Sequence, residues 1–479
     1  MTERKSSEYV VLAIVSTGVM MAAIDTTIVI LAIPEIMMSL NADLISAVWT
    51  ILAYILVVST LTTLMGRLGD HFGRSKIYNI GFLVFAVSSF LCAVAPNIQS
   101  LILFRGIQGI GGAMLQANSS AILTEVIDPR RLGRAFSFTA IGWNSGATLG
   151  IVLGGVLTTY FGWQSIFLIN VPIGVLAFVI GLIYLRTKGK YPAQFDVIGA
   201  VALLVSLTLI SYGIIDVAGF GLTLFNSSLI LSGLLLLVLT LAVVEPRVKS
   251  PIINVRLIRS RAFSIPLFVS FFQSVGYLSI VFLVIMYLQG VLAMSPLMAS
   301  LVLVPGYVLA SLMAVFSGRI IDNLGYRLGM TVGLVLMIVS VLLYTRLGLT
   351  TPVSYVVLSS VIGGLGAALY FPANNKAVMV NAPRESLGAA NGLQRTLANI
   401  GTILSYTLAI LVSSTAIPKQ YAFEIFVGTT VLTQTLAQEF LKGLTIAFTF
   451  AGAILAVALL LAVTVQERRE RSLNIEEGV

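Results

Sequence analysis

Hydrophobic positions along this chain gather in long runs separated by short polar connections. Fourteen runs reach the roughly 20 residues that a bilayer crossing needs: 9–34, 45–66, 76–95, 99–125, 134–160, 163–186, 196–216, 225–245, 262–289, 296–317, 328–348, 353–380, 386–413 and 440–465. Each is rich in Leu, Ile, Val, Ala and Phe, and a segment in lipid has to pair its own backbone groups, so each is expected to be a helix. Barrel strands would be shorter and would alternate. The pattern therefore predicts an all-α integral membrane protein of fourteen transmembrane helices. The first run is too long for a signal-peptide core and lacks a small-residue cleavage site, so it is read as a span.

Composition agrees with this pattern. The chain is 58% hydrophobic and 10% charged, with mean hydropathy +1.02, whereas a soluble domain is about a quarter charged. Its one cysteine, Cys92, excludes an internal disulfide and a cysteine metal cluster. A net charge of +9 would suggest a nucleic-acid partner, but the distribution of cations gives another reason for it. With the N-terminus placed inside, Lys and Arg number 2 in the N-terminal arm, then 3, 3, 3, 5, 2 and 3 in successive inner connections, and 3 in the tail. Arg346, Lys419 and Lys442 fall outside and Arg105 lies within a span. Such asymmetry predicts a multi-pass protein of the cell membrane with both termini cytosolic, and it needs no nucleic acid.

The chain also repeats itself at long range. Gly66-Arg67-Leu68-Gly69-Asp70-His71-Phe72-Gly73-Arg74 recurs loosely as Gly318-Arg319-Ile320-Ile321-Asp322-Asn323-Leu324-Gly325-Tyr326-Arg327, an offset of 252. Pro129-Arg130 and Gly133 are echoed by Pro383-Arg384 and Gly388, and Asn144 with Gly146 by Asn399 with Gly401. Both copies follow the second span of a half, so the expected organisation is six plus two plus six spans. The domains would be residues 1–190, an inserted helix pair at 191–250, and residues 251–479. The basic, apolar segment Glu245 to Arg261 fits the surface of an anionic leaflet, and a small hairpin is expected around Gly428 in the long connection from Ser414 to about Glu439.

Candidate chemistry is sparse. The chain has no Gly-x-x-x-x-Gly-Lys-Ser/Thr phosphate loop, and its single histidine, His71, lies in a connection, so ATP hydrolysis and histidine chemistry within the membrane are not expected. No metal site or cofactor is expected. One acid stands out: Asp25, mid-way along the first run, where a carboxylate costs roughly 2.5–3.5 kcal/mol on insertion scales. Counting from Pro34 and from Asn97 at about 1.5 Å per residue, Asp25 and Arg105 lie about 14 and 12 Å from the same side of the membrane. They are expected to pair, with Gln108 one turn on able to bond either. A movement separating them would let Asp25 take up a proton and restored contact would release it, although a permanently locked pair has the same sequence.

Two further patterns concern motion. Gly142, Gly146, Gly150 and Gly154 are spaced by four and followed by Gly155, which leaves one flat face for a close, sliding helix contact. Between spans two and three, Gly66 is expected to end one helix and Asp70 to stand near the start of the next. With Gly73 and Arg74, and with Gly318, Asp322 and Arg327 in the second copy, this makes a charged latch between states.

These residues are similar to the major facilitator superfamily and most closely to its fourteen-span drug:proton antiporter group. Asp25-Thr26-Thr27-Ile28-Val29 through Ala32-Ile33-Pro34 resembles the first-span signature, Gly66 to Lys76 the loop motif, Phe104 to Gly109 the span-four motif and Gly146 to Gly155 the antiporter motif. Phe167 to Pro172 and Tyr287-Leu288-Gln289 also resemble family sequence. The chain departs from the pattern at Ile151, where the motif has proline, at Ile30 for Asn, and at His71 and Ser75 for basic residues. The resemblance covers essentially the whole chain. It implies two pseudo-symmetric six-helix bundles, a midplane site and alternating access, with proton-coupled export of lipophilic, often cationic compounds. The proton is then the coupling ion, and a small-molecule substrate and the bilayer are the partners of a chain expected to be monomeric. Gln273, Tyr277, Tyr370 and Asn374, on spans nine and twelve, are candidate substrate contacts. A metabolite or lipid-like exporter is the alternative of the same class; an enzyme or a membrane sensor would show clustered acids or an appended domain.

Overall fold

The computed structural model describes residues 2–127, 132–185, 196–248, 260–382, 387–414 and 434–466. Backbone groups in lipid are satisfied within helices, and among the described residues there are helices and no strands. The first half comprises α1 (Thr2–Ser39), α2 (Leu44–Phe72), α3 (Arg74–Ala93), α4 (Ile98–Val126), α5 (Leu132–Phe161), α6 (Ser165–Leu168) and α7 (Asn170–Tyr184). The pair α8 (Val197–Phe220) and α9 (Leu224–Leu239) follows, α9 running into a π-helical turn at Thr240–Val244. The second half comprises α10 (Arg261–Tyr277), α11 (Ile280–Met286) with a π-helical turn at Tyr287–Val291, α12 (Pro296–Leu324), α13 (Tyr326–Tyr344), α14 (Val353–Asn381), α15 (Leu387–Ser414) and α16 (Gln434–Val463).

All fourteen expected spans are present, two of them broken: α6 and α7 meet at Ile169, and α10 and α11 at Leu278 and Ser279. Thirteen pass as membrane spans on length and hydropathy over the described residues; the fourteenth is α5, which covers the apolar run 134–160. Side-chain caps fix several starts. Asp43 accepts from the Ser46 amide, Asn97 from that of Ser100 and Ser295 from that of Met298, while Thr223 and Asn226 form a capping box. Pro34 does not end the first helix as its run predicts; α1 continues to Ser39.

Within the first half, α1 packs on α5, and α2 and α3 on α4; in the second, α12 and α13 pack on α14, and α10 on α15 and α16. The halves meet through α5 with α12 and α2 with α15, while α8 lies against both α2 and α15. An even number of crossings puts Thr2 and Gln466 on one side of the membrane, the terminal face. At the opposite, far face the halves are sewn together: Gln289 Nε2 donates to the Leu31 carbonyl at 3.3 Å, and the Leu297 amide to Thr159 Oγ1 at 3.1 Å. Midway, the hydroxyls of Thr148 and Ser311 are 3.3 Å apart.

The internal repeat is expressed in the backbone. α2 and α12 each end on a glycine with positive φ, +106° at Gly73 and +91° at Gly325, and each passes directly into the next helix. Both expected domain boundaries, Pro129-Arg130 with its echo Pro383-Arg384, most of the basic segment and the hairpin around Gly428 lie outside the described residues. With ψ of 121° and 155°, Gly73 and Gly325 occupy backbone space that a Cβ makes costly. Gly73→Ala and Gly325→Ala should each lower stability by about 1–3 kcal/mol, read as a lower Tm of the purified chain; Gly318→Ala, with open space where its Cβ would go, should leave Tm nearly unchanged.

Candidate functional site

Asp25 and Arg105 meet at the centre of the first bundle. Arg105 Nη1 lies 2.6 Å from Asp25 Oδ2, and Gln108 bonds both members, donating from Nε2 to Asp25 Oδ1 at 2.8 Å and accepting from Arg105 at 2.6 Å. Asp25 is 0%, Arg105 1% and Gln108 0% exposed, so the charges are paired out of reach of water, as their cost in lipid requires.

Further groups, not singled out in the sequence, complete the arrangement. Arg105 Nε donates to the Thr50 carbonyl at 2.8 Å, and its guanidinium carbon lies 4.6 Å from the centre of the Tyr54 ring and 5.7 Å from that of Phe167, within cation–π range. Gln108 Nε2 also donates to Ser89 Oγ on α3 at 2.9 Å. Asn170, the first residue of α7, donates to Asp25 Oδ1 at 3.5 Å, and its own Oδ1 has no partner. Asn170 was visible only as part of the family-like stretch Phe167 to Pro172, and Ser89 and Thr50 carried no sequence signal. Every partner belongs to the first bundle. The carboxylate therefore points into that bundle, not into the space between the two, and gives no charge to a molecule held there.

The glycine face of α5 seats α1. A Cβ on Gly142 would meet Ser16, on Gly146 Met20 and Ala23, on Gly150 Ile24 and Thr27, and on Gly154 Ile28 and Leu31. Thr27 Oγ1 also bonds the Ala147 carbonyl at 3.2 Å. The segment carrying Asp25 is thus held between α5 and the Arg105 side chain of α4. Gly155 faces the other way, against Leu297 and Ser300 of α12. Ile151 is buried and α5 runs unbroken across the position where the motif proline would stand.

The expected latch is arranged differently from its prediction. Gly66 lies inside α2, Asp70 is in that helix's last turns, and the break comes at Gly73, because the backbone there needs positive φ and Gly66 does not supply it. Arg74, opening α3, holds Asp70 at 2.7 Å and reaches Glu125 at the end of α4 at 3.5 Å, so the ion pair ties three helix ends of one bundle together. In the second copy Gly318 is also inside its helix, Arg327 is exposed on α13, and the side chain of Asp322 is outside the described residues.

The candidate substrate contacts also turn inward. Gln273 is 0%, Tyr370 0% and Asn374 2% exposed, Gln273 nearing Met337 of α13, so a molecule between the bundles reaches none of these three in this state. Tyr277 is partly exposed, its hydroxyl packed against Gly363 of α14 beside Ser340 of α13. The 252-residue offset carries Asp25 onto Tyr277: where the first bundle holds an ion pair, the second holds neutral hydroxyls.

Two six-helix bundles repeated in one chain, meeting across a midplane with a buried charge in the first, define a membrane transporter of the alternating-access kind. The Major Facilitator Superfamily matches residues 15–406 and, separately, 267–478, and the chain belongs to that family. The Tetracenomycin C resistance and export protein of Streptomyces glaucescens is 28% identical over 403 residues, 84% of this chain and 75% of that protein. The riboflavin transporter RibZ of Clostridioides difficile (strain 630) is 26% identical over 399 residues, 83% of this chain and 86% of that one. A bacterial homologue of the human lysosomal transporter Spinster, crystallised inward-facing and unoccupied, has the same fold, with a TM-score of 0.65 at 15% identity over 96% of this chain and 97% of that one.

Removing one partner of a buried ion pair strands the other. Arg105→Gln should cost about 3–5 kcal/mol, seen as a lowered Tm in detergent, and Asp25→Asn added to it should restore most of the loss. A double variant no more stable than the single one would contradict the pairing.

Proposed function

We propose that this transporter is a proton-coupled exporter of lipophilic small molecules, acting as a monomer in the cell membrane with its terminal face cytosolic. The excess of Lys and Arg on that face supports the orientation. The far face is the sealed one, so this arrangement is the state that loads cargo from the inner side. An export protein and a riboflavin transporter among the relatives leave both a drug and a metabolite as cargo classes.

One observation carries the coupling: a buried carboxylate whose cation and neighbours are equipped for its protonation. Neutralising Asp25 would leave Arg105 buried and unpaired, ordinarily a severe cost. Here the guanidinium keeps the Thr50 carbonyl, Gln108 Oε1 and two aromatic faces. A protonated Asp25 would need an acceptor, and the unpartnered Oδ1 of Asn170 stands on the amide that already touches it. Rocking of the bundles does not by itself part Asp25 from Arg105, since both ride in the first. The parting comes from α5: released by α12 at Gly155 and Thr159, it shifts α1 on its glycine face while α4 stays with α2 and α3.

In proteoliposomes, Asp25→Asn should abolish substrate-driven proton movement while retaining counterflow of preloaded substrate. Proton movement at the wild-type rate would remove Asp25 from the mechanism. Loss of counterflow together with proton movement in a variant of unchanged Tm would make the pair a structural lock.

A further inference from the structure

One cation in the membrane has no part in the site above. Arg395, counted among the connections in the charge pattern, stands eight residues beyond Leu387 in α15, about 12 Å into the helix and within the apolar span Leu393–Ser413. Its side chain is exposed although it stands within a span, as on a wall facing open space between helices. The helical wheel gives the same direction. Gly401 closes on Phe271 and Ser274 of α10, and Leu393 joins the apolar cluster of Ala200 and Leu203 of α8 with Phe263 and Leu267 of α10, Val378 of α14 and Ala382 at its end. At 100° per residue Arg395 points about 120° away from the first and about 160° from the second.

Among the described residues no acid or other acceptor is paired with this guanidinium. Of the described acids, Asp25 is committed to Arg105, and Asp70 and Glu125 to Arg74. Its sequence neighbour Gln394 donates to Asn375 Oδ1 on α14 at 2.8 Å, which leaves the Asn375 amide N–H groups to the same space, and Asn375 is exposed. One turn along that face, the Phe371 ring is 43% exposed. The wall thus presents hydrogen-bond donors and a fixed positive charge beside an aromatic surface.

We infer that the cavity binds an amphipathic organic anion, its acidic group on Arg395 and Asn375 and its apolar body against Phe371. This rests on reading the chain as an exporter and gives its cargo a sign of charge opposite to the cationic one that the family resemblance implies. Charge-assisted bonds to a guanidinium are about twice as strong as neutral ones, and an unpaired cation in a span is relieved by a bound anion.

The test uses one aromatic body with three head groups, 1-pyrenebutyrate, 1-pyrenebutanol and 1-pyrenebutylamine, binding to the full chain in zwitterionic nanodiscs with protein-free discs as blank. The carboxylate should bind about tenfold or more tighter than the alcohol and the amine weakest. Arg395→Gln should bring the carboxylate down to the alcohol, whose own affinity reports that the variant is folded, and Arg395→Lys should keep most of the preference. Competition by added phosphatidylglycerol would make a lipid head group the natural anion; no competition would leave a soluble one. A carboxylate-to-alcohol ratio unchanged in Arg395→Gln, or tighter binding of the amine, would overturn the inference. Arg395-dependent binding without counterflow would instead overturn the exporter reading and leave the anion site standing.

Discussion

Everything in the first bundle is arranged around a charge pair that lipid will not tolerate unless protein encloses it. Asp25 and Arg105 sit at 0% and 1% exposure, and six helices contribute to covering them: α1 and α4 the charges, α2 a carbonyl and a ring, α3 a hydroxyl, α6 an aromatic face and α7 an amide. Burial makes the pair expensive to break and therefore decisive. Any state in which it opens has to be stabilised by something else, and the neutral acceptors around Arg105 provide it.

The glycine face of α5 connects that pair to the other bundle. Four close contacts put α1 almost backbone to backbone with α5, and on its opposite side α5 meets α12 at Gly155, Thr148 and Thr159. α5 is continuous, with Ile151 in place of a kink-forming proline, so in the proposed mechanism it moves as one rod. In that mechanism the two bundles divide the work: the first keeps an internal acid shielded from cargo, and the second, with a neutral Tyr277 where the first has Asp25, offers Arg395 to an anion.

Much of this was legible in the residues. Run length and hydropathy locate all fourteen spans because lipid leaves helices few alternatives, and the acid in the first run meets its guanidinium because two charges at matched depth have no cheaper solution. The repeat at 252 residues reappears as paired positive-φ glycines. What escaped notice depends on direction around a helix. Gln273, Tyr370 and Asn374 are buried among the helices of the second bundle, Asn170 and Ser89 look like ordinary polar span residues, and Arg395 passes for a connection charge because it lies near the start of its run. Gly66 suggested a helix end, but in lipid a helix continues through glycine until the backbone must turn, at Gly73.

The central claim is that Asp25 changes protonation only when α12 releases α5. Cysteines at Thr159 and Leu297, whose hydroxyl and amide are 3.1 Å apart, would lock the far face shut as a disulfide. Infrared difference spectra across a pH step should then show the carbonyl band of a protonated carboxyl in the reduced chain, absent in Asp25→Asn, and no such band in the oxidised one. A locked chain that protonates Asp25 as readily as the unlocked one would contradict the account.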